Sequence, residues 1–128
     1  MKATFWLYLE IELHDLQNDF ESVFNCSLEM DSEDYWEWIH TRDNEINISR
    51  PHDYMIGKGL YEKPIEIRIN GVSLNMKEDD LGKILFKKFQ TTVFQGNIKY
   101  LNHKEFILEK ETLYNTLPDD FYYVLIMR

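Results

Sequence analysis

EMDSEDYWEWIHTRDNEINISR, Glu29 to Arg50, decides how the chain is laid out, because it holds two alternating runs on either side of a turn signal. Within it DYWEWIH places Trp36, Trp38 and His40 on one side and Tyr35, Glu37 and Ile39 on the other, the period of two that marks a strand. INISR, with Ile46 and Ile48 in phase, reads as the next short strand, ended by Pro51, and Asp43-Asn44 supplies the turn between them. The spacing therefore predicts a hairpin. The leading EMDSED carries no hydrophobic periodicity and reads as an exposed loop.

Upstream, Thr4 to Leu13 alternates, with Phe5, Leu7, Leu9, Ile11 and Leu13 on the core side and Trp6, Tyr8, Glu10 and Glu12 on the other. Asp15 is placed to cap a helix whose stripe is Leu16, Phe20, Val23 and Phe24, running to about Cys26. Downstream, Pro51 to Pro64, with Gly57 and Gly59, reads as an ordered loop. IEIRI and VSL flank Asn70-Gly71, the pair that favours a type I′ hairpin because both central residues need positive φ. Asn75 with Glu78 has the spacing of a capping box, and Leu81, Ile84, Leu85, Lys88 and Phe89 follow at helical spacing, with Lys83, Lys87 and Lys88 complementing the dipole. TTVF and NIKYL around Gln95-Gly96 read as extended, KEFILEKETLYN fits helix or strand, and FYYVLIM reads as a buried strand.

These elements suit a single domain over residues 1–128, of α+β class, with a mainly antiparallel sheet and two helices on one face. The embedded β-α-β-β-α-β order is that of a ferredoxin-like domain with an inserted hairpin and a C-terminal extension.

The chain carries a net charge of −9 with pI near 4.8, which argues against nucleic acid as partner, since that affinity rests on Lys and Arg neutralising phosphates. The charge is concentrated: Glu29 to Glu45 holds seven acidic residues against Arg42, a net −6. A basic protein partner fits this distribution. One cysteine, Cys26, excludes an internal disulfide and a cysteine-rich zinc site, and suits a reducing compartment. No apolar run is long enough for a membrane span, and Glu10 and Glu12 interrupt what would be a signal-peptide core, so a cytoplasmic location is expected. His14, His40, His52 and His103 lack metal-ligand spacing, and Gly57-Lys58-Gly59 lacks that of a phosphate loop. No catalytic residues, metal or cofactor are therefore expected. Trp36 and Trp38 share one strand face, which serves either as core or as an interface, and Trp6 and Tyr8 extend that patch if their strand lies beside it.

A small acidic α+β chain with aromatics set among carboxylates, and no catalytic constellation, resembles the immunity proteins that bacteria pair with polymorphic or contact-dependent growth-inhibition toxins. The resemblance implies an inhibitor that neutralises one cognate toxin domain, often a basic nuclease, by binding over or beside its active site. The partner-binding residues would be Glu29, Asp31, Glu33, Asp34, Trp36, Glu37, Trp38, Asp43 and Glu45, with carboxylates standing in for phosphates and Trp36 or Trp38 as the buried anchor. A different reading is a small-ligand-binding or enzymatic ferredoxin-like domain using Arg50, His52, Asp53 and Tyr54 of the RPHDY run. A third is a homodimer or larger homo-oligomer in which the aromatic face is its own interface.

Overall fold

Alternation in β1 (Lys2–Leu7) turns Ala3, Phe5 and Leu7 to one side, and the sheet is built outward from this strand. The computed structural model describes residues 1–7, 9, 11–33, 36–51, 65–71, 76–100 and 106–114. The other strands are β2 (Glu29–Glu33), β3 (Trp36–His40), β4 (Ile46–Pro51), β5 (Ile65–Asn70), β6 (Val93–Tyr100) and β7 (Phe106–Tyr114), in the spatial order β2-β3-β4-β5-β1-β6-β7. Every neighbouring pair is antiparallel.

Since β1 opposes β5 and β5 opposes β4, β1 and β4 run the same way and the chain must cross over between them. A 3-10 turn (Leu13–Leu16) and helix α1 (Gln17–Phe24) begin that crossing, and helix α2 (Glu78–Phe89) carries the equivalent one from β5 to β6. The α2 crossover skips one strand, β1, a split β-α-β arrangement, whereas the α1 crossover passes β5, β4 and β3 to reach the edge strand β2 before the chain returns to β4. The β2–β3 hairpin is inserted after α1 and extends the sheet beyond β4, and β7 extends it beyond β6. Both helices lie on one face, as crossovers of a single hand require. They meet through the Phe20 and Phe89 rings, with centroids 4.9 Å apart, and through Lys88 Nζ and Asp19 Oδ1 at 3.5 Å.

Beneath the helices, Ile39, Ile48, Ile67 and Phe5 stand opposite one another across β3, β4, β5 and β1, all fully buried. Leu13, Leu16, Phe20, Phe24, Leu81 and Leu85 cover them. Each such side chain contributes about 1.5–3 kcal/mol through removal of apolar surface from water.

Four local expectations change, the first being that β1 spans Lys2–Leu7 and not Thr4 to Leu13, with Ile11 exposed and Leu13 in the 3-10 turn. EMDSE is a strand, held at the sheet edge by β3, because backbone pairing rather than side-chain burial defines it. Asp15 lies within the 3-10 turn and makes no capping bond, and α1 follows directly from Leu16. The Asn70-Gly71 type I′ hairpin is not formed, since neither residue has positive φ. Asn70 instead ends β5 opposite Lys2, and the Gly71 N–H donates to the Met1 carbonyl at 3.1 Å. VSL and Asn75 lie outside the described residues, so the capping box does too. Among described residues, α2 starts at Glu78 with no side-chain cap on Lys77.

Gly71 is required for another reason. A Cβ there would stand 2.5–2.8 Å from Cδ, Cγ and Cβ of Glu45, a clash that reaches the base of that side chain. Gly71→Ala is expected to cost about 1–3 kcal/mol, the range for overpacking. Asn70→Ala, with no positive φ at stake, should stay within about 0.5 kcal/mol. Urea midpoints of the two variants check this.

Candidate binding face

Away from the helices, the same alternation presents a second face. One row runs Asp31, Trp38, Ser49, Glu66, Trp6, Phe94 across β2, β3, β4, β5, β1 and β6. Its β6 end is closed. Trp6 is only 4% exposed, stacks on Phe94 with centroids 6.3 Å apart, and donates its indole N–H to the Gly96 carbonyl at 2.7 Å, at the bulge after Gln95. Trp6 is thus no part of an exposed patch, and β4 and β5 lie between β1 and β3. Tyr8 lies outside the described residues.

Toward β2 the face opens. Glu29, Asp31 and Glu33 are exposed on the edge strand, in register with His40, Trp38 and Trp36 respectively. Trp38 is half-buried. Beside it lies a shallow depression of about 490 Å³, lined by Glu33, Trp38, Asn47, Ser49, Glu66 and Arg68 among others. Arg68 donates to Glu66 Oε1 at 2.7 Å. Burial pushes the Glu66 carboxyl above its usual range, and Arg68 opposes that.

His40 ties β2 to β3. Its Nδ1–H donates to the Thr41 carbonyl at 2.8 Å, and Nε2 sits 2.5 Å from Asp31 Oδ2. Both neighbours are acceptors, so only the doubly protonated ring satisfies both contacts. The hydrogen bond to Asp31, then that to Thr41, hold the imidazole above its ordinary value against the effect of burial, with the Asp31 and Glu29 charges adding. A raised folded value means that this contribution is fully present below about pH 6.5 and is lost as pH climbs through the folded value. The melting temperature of the native protein should therefore fall between mildly acidic and alkaline pH relative to His40→Gln. Parallel melting curves of the two proteins against pH would show no such divergence if His40 were neutral.

The other expected site residues scatter. Glu37 is 9% exposed on the helix-covered face, opposite Arg50, and its Oε1 has no hydrogen-bond partner among the described residues. It does not join the acidic surface. Asp43 is exposed in the β3–β4 turn, where its Oδ1 accepts from the Glu45 N–H and the Thr41 hydroxyl. Those bonds hold its carboxyl below the usual range. Glu45 is partly buried, packed against Gly71 at the hairpin's base. Asp34 lies outside the described residues, as do His52, Asp53 and Tyr54.

Arg50, the described member of the alternative pocket, is 0% exposed and points to the core side. Its Nη1 and Nη2 donate to the Ile11 and Leu9 carbonyls at 2.6 and 2.5 Å, fixing the segment between β1 and the 3-10 turn. Sequence reasoning missed this role, although Ile46 and Ile48 in phase already placed Arg50 on the core side.

His14, between the Glu12 and Asp15 carboxylates at 3.3 and 3.2 Å, forms a surface ion-pair cluster that the histidine spacing did not disclose. Burial first, then the Glu21 and Asp43 charges, push the Cys26 thiol up, which makes it a poor nucleophile. Among the described residues no helix is long and apolar enough to cross a membrane.

Compared with protein-family models, curated proteins and solved structures, the chain matches none. The likeness to a ferredoxin-like domain therefore rests on strand order alone.

Proposed function

We propose that this chain is a binding protein that neutralises a cognate basic toxin domain in the cytoplasm, as the immunity proteins it resembles do, and that it binds through the open face of β2, β3 and β4. One observation carries the reading. The register puts the exposed carboxylates of Glu29, Asp31 and Glu33 and the half-buried Trp38 on one surface, at a sheet edge, on the side opposite the helices. Carboxylates there attract a basic surface during encounter, and the indole supplies apolar area once the complex forms. The action is binding, without turnover.

Asp31 is engaged by His40, whereas Glu29 meets only the exposed Arg42 among the described residues, at 3.8 Å, so Glu29 and Glu33 are the residues to alter. The partner to test is a toxin domain at the C-terminal end of a large secreted protein encoded beside this gene. Against it, the Glu29→Lys/Glu33→Lys variant should associate more slowly, with a flatter dependence on salt, because exposed charges act over a Debye length of about 8 Å at physiological ionic strength. An association rate and salt slope equal to those of the native protein would remove the basis of the reading.

A further inference from the structure

We infer that the depression over Trp38 receives an arginine side chain of the partner. This deepens the reading above and rests on it. The charges around the indole are already matched, with one exception. Asp31, directly opposite Trp38 on β2, is held by His40, and Glu66, one strand beyond Ser49, is held by Arg68. Glu33 is exposed, lines the same depression, and makes no ion pair among the described residues.

The floor adds acceptors. Ser49, opposite Trp38 on β4, is 2% exposed and lines the depression with its hydroxyl-bearing side chain. The Asn47 amide lies one register step away on the same face. A half-buried indole, an unmatched carboxylate and a hydroxyl and amide in one hollow are complementary to a guanidinium. That group is planar, stacks on an indole face, and carries five donors for several acceptors at once.

An ammonium is a compact charge with three donors and lacks the planar surface that stacks on the indole. A neutral sugar could lie on the indole and bond the amide and hydroxyl, but would leave Glu33 without a counterpart. The unmatched negative charge favours the arginine.

The test uses the whole ¹⁵N-labelled protein and a blocked tri-arginine peptide, read at the Trp38 indole N–H (assigned with Trp38→Phe) and at the β2 amides. Tri-arginine should shift the Trp38 indole saturably, tri-lysine more weakly, and uncharged tri-citrulline and maltose not at all. Glu33→Gln, an exposed conservative change whose fold its own amide spectrum verifies, should weaken tri-arginine binding by about tenfold, the loss of one charge-assisted hydrogen bond. Shifts of the β2 amides without Trp38 would overturn the arginine site and leave the acidic-face reading standing. Shifts at neither place would overturn both. A Trp38 response to maltose and not to tri-arginine would reassign the hollow to carbohydrate.

Discussion

Arg50→Ala should lower the unfolding free energy by about 3 kcal/mol or more, because it removes two charge-assisted hydrogen bonds and opens a cavity. The accepting carbonyls are those of Leu9 and Ile11, which the guanidinium binds from a fully buried position on β4. Arg50→Met would restore much of the volume but neither hydrogen bond, and so should recover only part of the loss. Arg50→Lys should do no better, as one ammonium does not reproduce the fork that spans both carbonyls. Urea denaturation of the three variants orders them. A midpoint for Arg50→Ala within error of the native protein would mean that the segment before the 3-10 turn is held by something other than this side chain.

Under the proposed function, Trp38→Ala should weaken binding to the toxin domain by about 2 kcal/mol or more, roughly thirtyfold, expressed mainly in faster dissociation. The effect differs in kind from that of Glu29→Lys/Glu33→Lys, which acts on association. Since Trp38 is half-buried on a face that neither α1 nor α2 covers, a melting control should show the variant folded. An unchanged dissociation rate in a folded Trp38→Ala protein would remove Trp38 from the interface and leave only electrostatic attraction.

What could be read from the chain was what burial writes into it. Ile39, Ile46, Ile48, Ile65, Ile67 and Ile69 repeat at period two because one face of each strand packs under helices, and that repeat located β3, β4 and β5. Leu81 and Leu85 located α2 for the same reason. The edge strand β2 left no such trace. Among Glu29–Glu33 only Met30 packs against the core, and a strand defined by backbone pairing on one side needs no apolar alternation. Asn70-Gly71 misled because its composition suits a turn, whereas its geometry answers to the Glu45 side chain and to pairing with the first strand.

The candidate face was visible in composition and not in layout. The density of acids around two tryptophans drew attention to this hairpin, and its register shows Glu29, Asp31 and Glu33 facing outward and Glu37 facing the core. Alternation had already set Glu37 in phase with Ile39, so its burial was implied by the pattern. Nothing in the sequence paired Asp31 with His40, nine residues apart across a strand that read as a loop.

The face that the partner covers decides the matter most directly. Amide hydrogen exchange of this chain, alone and saturated with the cognate toxin domain, should show new protection concentrated on the β2 edge, β3 and the β3–β4 turn, with α1 and α2 unchanged. Protection confined to the helices, with β2 and β3 exchanging as in the free protein, would contradict the account.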